Sequence, residues 1–122
     1  MTDRRTIKTW TARIYLGFGG SPWLTVPLNF DALEFALCEF CGREGLCVNV
    51  SPVAYVYPGG SEPGASVMLI NYPRFPDHLP DETPGLRSKA ERLAELLRVR
   101  FNQKRVSIVF DDETVTIGEF DE

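Results

Sequence analysis

The chain is poor in the residues that usually announce chemistry. It has a single histidine, His78, and only three cysteines, with no second CxxC to complete a tetrahedral metal site. Neither a Walker sequence nor a GxGxxG turn is present, and no serine or cysteine stands in a known nucleophile motif. No apolar run approaches the roughly 18 residues that span a bilayer. The polar, basic start MTDRRTIKTW has no apolar stretch behind it, so a cytoplasmic protein without membrane contact is expected. An odd number of thiols in so small a chain argues against a disulfide framework and for reduced cysteines. The net charge of −4 works against loose binding to nucleic acid or to anionic lipid.

What is present reads as one α+β domain. The 122 residues, 43% of them apolar, suffice for one sheet and two helices, taken here as residues 9–122 behind a flexible arm over residues 1–8. In TWTARIYLGF, Trp10, Ala12, Ile14, Leu16 and Phe18 alternate with Thr11, Arg13, Tyr15 and Gly17, the period of a strand with one buried face. Asp31 as cap, Glu34 as its capping-box partner and Phe30 with Phe35 as a hydrophobic staple predict a helix beginning at Asp31 and ending at Gly42 or Gly45. Leu33, Leu37, Phe40 and Cys41 form its apolar stripe. LCVNVSPVAYVYP is a strand with a bulge or an edge position at Pro52. GGSEPG reads as a turn, and ASVMLINY as a strand apolar on both sides, one of them Met68, Ile70 and Tyr72.

Thr83 followed by Pro84 opens a second helix, whose stripe is Leu86, Ala90, Leu93, Ala94, Leu97 and Phe101. RVSIVF and TVTIGEF close the chain as a hairpin around DDET. The order is that of a ferredoxin-like split βαβ sandwich (β-α-β-β-α-β) with an extra C-terminal strand, both helices on one face of an antiparallel sheet. The other face stays open. The apolar second side of ASVMLINY and the aromatics Tyr55 and Tyr57 suggest that it is covered, by a second copy in a homodimer or by a partner.

CEFCGREGLC holds every cysteine. Cys38 and Cys41 fall inside a well-capped helix and Cys47 opens a strand, so packing is favoured over zinc or a redox pair. The GFGG turn after the first strand, with Gly17, Gly19 and Gly20, lacks the lysine and the immediate helix start of a phosphate cradle. The proline-rich loop over residues 73–85 is long enough to be functional. It places Arg74 beside Phe75, suited to an anion or a ring, and then Asp77, His78 and Asp81.

RIYLGF resembles the short first-strand motif of the RNA-recognition motif family, in which an aromatic at the position of Tyr15 stacks on a base. The companion third-strand motif is missing, since Val67 and Leu69 stand where aromatics are wanted. Seven basic residues between Arg87 and Arg105 face only Glu91 and Glu95 there, with Arg87–Glu91 and Arg92–Glu95 as helical pairs. Small size, acidic balance and lack of a catalytic set resemble the accessory proteins of mobile elements, phage-encoded inhibitors among them. The expectation is therefore a non-enzymatic, homodimeric binding module without metal or cofactor, for a protein partner or a small anionic ligand rather than nucleic acid. Its surface would combine Tyr15, Gly17, Gly19, Gly20, Arg74, Phe75 and His78. The alternatives are a small hydrolase or isomerase using His78 with Asp77 or Asp81, and a single-stranded RNA binder using Tyr15 and the second helix.

Overall fold

In the computed structural model the chain is described at Arg4 and over residues 10–18, 29–70 and 83–120. Its elements are β1 (Thr11–Gly17), α1 (Phe30–Glu44), β2 (Val48–Tyr57), β3 (Gly60–Ile70), α2 (Thr83–Arg100), β4 (Arg105–Phe110) and β5 (Thr114–Gly118). The strands form one sheet in the order β2-β3-β1-β4-β5 with every neighbour antiparallel. This is the expected ferredoxin-like sandwich with its extra strand.

The alternation in β1 sorts the two faces. Ala12, Ile14 and Leu16 turn inward and lie in the core with Val67 and Leu69 of β3 and Val106 and Ile108 of β4. The helices cover this face: α1 contributes Leu33, Ala36, Leu37 and Phe40, and α2 contributes Leu86, Ala90, Leu93, Ala94 and Leu97, with Phe101 just beyond it. Each fully buried leucine or phenylalanine stabilises the fold by about 1.5–3 kcal/mol. Pro52 sits in the edge strand β2, where its missing N–H leaves no gap inside the sheet.

Both helices stop by the same device. After α1, Gly45 takes the left-handed conformation (φ 63°), and the N–H of Leu46 donates to the Cys41 carbonyl at 3.1 Å. After α2, Asn102 does so (φ 50°), and the N–H of Gln103 donates to the Arg98 carbonyl at 2.8 Å. The start of α1 differs from expectation. Asn29 is the cap, its side-chain oxygen accepting from the Ala32 N–H at 2.8 Å, and Phe30 is already helical. That shift of two residues dissolves the Asp31–Glu34 box and leaves Phe35 62% exposed under the Arg100 guanidinium rather than in a staple. Asn and Asp cap about equally well, so local chemistry could not choose between them.

The basic side of α2 is also partnered differently. Arg92 pairs with Glu44 of α1 and Arg100 with Glu39, while Arg87 reaches Asp112 and Glu113 in the β4–β5 turn and lies 4.1 Å over the Phe110 ring. Arg98 pairs with Glu95. The charges expected on a solvated stripe thus tie α2 to α1 and to the terminal hairpin. The arm expected over residues 1–8 lies outside the described residues except for Arg4.

Replacing Leu97, wholly buried on α2, should expose how much the helical layer contributes. Leu97→Ala is expected to destabilise the protein by about 2–5 kcal/mol in urea unfolding, with the denaturant slope unchanged.

Candidate active site on the open face of the sheet

The face away from the helices is built by the other half of each alternation. Register places Asn49, Met68, Arg13, Val109 and Thr114 in one row across the five strands. The next row is Ser51, Ser66, Tyr15, Ser107 and Thr116, a hydroxyl on every strand, with Ser107 and Thr116 hydrogen-bonded at 2.9 Å. Met68 and Ile70 are partly buried on this face, and Val109 is exposed beside Arg13, while Tyr72 lies outside the described residues.

Beyond the hydroxyl row, Gly17 of β1 faces Gly64 of β3. Two glycines side by side leave room above the strands for larger side chains to lie down on the sheet, and Gly64 is buried beneath them. Tyr55 of β2 lies flat across Gly64, where an added Cβ would collide with its ring and with the Leu16 carbonyl. Such aromatic covering of a strand glycine protects the ladder below. Glu62 reaches over Gly17, its Oε2 about 3.1 Å from where a Cβ would stand. Tyr15 meets Tyr55 edge to face with ring centroids 6.5 Å apart. The bay is the shallow surface bordered by the rings of Tyr15 and Tyr55 and the Glu62 carboxylate, which lie over the two glycines.

Burial raises the Tyr55 phenol above its ordinary pKa, and the neighbouring Tyr15 and Glu62 raise it further. Its hydroxyl lies 3.4 Å from the Ala65 carbonyl. Tyr55 accordingly stays neutral near pH 7 and serves as a wall and a donor, not as a base. The arrangement suits a ligand with a flat ring and a positive centre, because both the carboxylate and the ring faces attract cations.

Of the residues expected to bind, Tyr15 and Gly17 meet in this bay. Gly19, Gly20, Arg74, Phe75 and His78, with Asp77 and Asp81, lie outside the described residues. Glu62 and Gly64 went unrecognised because GGSEPG was read as a turn. Only Pro58 and Gly59 (φ 90°) make the turn, a type II pattern, and Gly60 already begins β3. The spacing of Gly60, Glu62, Gly64 and Ser66, every second residue, was the available signal.

The cysteines occupy a different place. Cys38, Cys41 and Cys47 line a cleft of about 340 Å³ between α1 and β2, with Leu37, Leu46, Val48 and Val50. Cys41 is pushed up to about 11 by burial, then by Cys47 and Cys38, and stays a neutral thiol. Cys38 is exposed, which corrects the expectation that all three pack. Among the described residues no group of three or more His, Cys, Asp or Glu is placed to hold a metal ion.

No family model matches the chain, and no curated protein matches it in sequence. Solved structures do match. The fold resembles that of a phage SAM lyase. One such enzyme in its apo state superposes with a TM-score of 0.74 at 18% identity, over 100% of this chain and 99% of that one. A phage SAM lyase in complex with S-methyl-5'-thioadenosine gives 0.68, also at 18% identity, over 98% of this chain and 96% of that one. At this identity the likeness speaks to the fold. The expectation of a non-enzymatic binding module or inhibitor is corrected by it, because both matching chains are SAM lyases and the match covers nearly the whole of each. The enzymatic alternative lay closer, although it named His78, Asp77 and Asp81.

Thiol chemistry separates the cysteines. Iodoacetamide at pH 8 should alkylate Cys38 first and Cys41 last, the latter about a hundredfold more slowly than a thiol at the ordinary 9.0. The raised pKa also contributes stability that is complete below pH 9.0 and declines as pH rises toward about 11, so Cys41→Ser should flatten that part of an alkaline unfolding curve.

Proposed function

We propose that this chain is a lyase acting on a sulfonium nucleoside of the S-adenosylmethionine type, with the Gly17–Gly64 bay as its active site. The observation that carries the proposal is the Glu62 carboxylate, set over Gly17 beside the rings of Tyr15 and Tyr55, on a fold shared along its whole length with a SAM lyase. The tyrosine rings would flank the nucleobase or the sulfonium, and Glu62 would draw the cation into the bay.

S-adenosylmethionine and methylthioadenosine differ by the four-carbon amino acid chain, so the reaction breaks the bond between sulfur and Cγ. Sulfur keeps the electron pair and leaves as a neutral thioether. The substrate's own carboxylate oxygen closes on Cγ to give a five-membered lactone, and no water or proton transfer is required. Two opposite charges disappear in this step, so their hydration opposes it; a face that holds both groups and displaces water from them favours it. Glu62 contributes mainly to capture of the substrate, and the tyrosines to orientation and exclusion of water.

A small ligand is the part of the original expectation that the thioadenosine complex of the structural neighbour supports. Its sign is revised, since a carboxylate calls for a cation. Gly19, Gly20, Arg74, Phe75 and His78 enter the proposal as further contributors on sequence grounds. We also propose self-association at the edge of β2, where Val56 is 81% and Tyr57 51% exposed beside a free backbone edge. Native mass spectrometry should then report more than one chain, and Val56→Lys should return the monomer.

Incubation of the purified protein with S-adenosylmethionine should release methylthioadenosine, read by liquid chromatography with mass detection. Glu62→Gln is expected to lower kcat/KM at least tenfold, chiefly through KM, with the melting temperature within a few degrees of the parent. No product from the parent protein would refute the lyase reading.

A further inference from the structure

Arg13 stands on the open face of β1, two residues from Tyr15 and four from Gly17. Its register partners are Met68 on β3 and Val109 on β4, neither able to answer a charge. Among the described residues it enters no ion pair, whereas Arg87, Arg92, Arg98 and Arg100 each hold a carboxylate. An exposed guanidinium between Met68 and Val109 on a sheet face offers a planar, two-pronged donor that holds no carboxylate among the described residues.

Its position relative to the bay gives this cation a use. Four residues of strand, from Gly17 where the Glu62 carboxylate lies to Arg13, span about 13 Å, and the long Arg13 side chain can shorten that gap. One strip of the sheet thus carries a negative end at Glu62, a positive end at Arg13 and, between them, the partly exposed hydroxyls of Tyr15 and Ser107, with Ser66 buried beside them. A ligand that matches it has a cationic centre and a carboxylate a few bonds apart, joined by a short chain.

We infer that Arg13 is the subsite for the substrate's α-carboxylate, an inference that rests on the lyase reading of the bay. Arg13 holds one carboxylate oxygen and leaves the other turned toward Cγ. The sulfonium lies at the Glu62 end, and the substrate's ammonium group faces the hydroxyls. Cleavage of the S–Cγ bond removes the carboxylate from the nucleoside fragment and the positive charge from sulfur together. Methylthioadenosine therefore loses both charged anchors and leaves, while an intact substrate keeps them. Arg13 is in this sense a specificity residue: it distinguishes a nucleoside that carries an amino acid from one that does not.

Isothermal titration of the full chain with S-adenosylhomocysteine, which keeps the amino acid chain but is not a sulfonium, and with methylthioadenosine, which lacks that chain, tests the assignment. Arg13→Gln should weaken S-adenosylhomocysteine at least tenfold and change methylthioadenosine less than twofold, with Arg13→Lys in between and all melting temperatures alike. Equal affinities of parent and Arg13→Gln for both probes would remove the carboxylate subsite while leaving the nucleoside bay intact. Equal weakening of both probes would overturn it too, by making Arg13 a support of the bay as a whole. Failure of the parent protein to bind either probe would instead bring down the lyase reading on which the inference stands.

Discussion

The pairing of β1 between β3 and β4 is the constraint on which the rest of the molecule depends. A strand hydrogen-bonded on both sides cannot slip by one residue without turning Ala12, Ile14 and Leu16 out of the core. The same register presents Arg13, Tyr15 and Gly17 to the opposite face. Core and candidate site are therefore two sides of one ribbon, and the burial that holds the inner side in place also fixes the spacing of the outer one. Rigidity of this kind is what a site on a sheet offers over a site on loops.

Electrostatics divides along the same line. On the helical side, α2 is tied to α1 through Arg92 and Glu44 and through Arg100 and Glu39, and to the β4–β5 turn through Arg87. These pairs lie near the surface, so each contributes little to stability, but together they orient the helical layer. On the open side, among the described residues, Arg13 and Glu62 lie at opposite ends of a strip that carries the Tyr15 and Ser107 hydroxyls. A small acidic protein thus carries two opposite charges on one face of its sheet, an arrangement that its net charge of −4 does not suggest.

Much of the architecture was legible from periodicity. The alternation in TARIYLG, the stripe from Leu86 to Phe101 and the proline in an edge strand each depend on contacts within a few residues or on one buried face, and each is found as read. The cap of α1 was misplaced because Asn29 and Asp31 are near equals as caps and only tertiary packing separates them. Within the site, Tyr15 and Gly17 were visible because they belong to a strongly patterned strand. Glu62 and Gly64 were not, because Gly, Ser, Glu and Pro in a row carry the composition of a turn.

What the sequence determined by itself was which side of each strand is buried and where helices run, since those follow from hydrophobic period and from local end chemistry. Which residues share the bay was decided only by the tertiary structure. Gly17 and Gly64 are 47 positions apart in the chain, and it is the antiparallel register of β1 on β3 that sets them side by side and brings Glu62 over one and Tyr55 over the other. Long-range pairing of this kind is selected by the fit of the whole core, and no short stretch of sequence carries it.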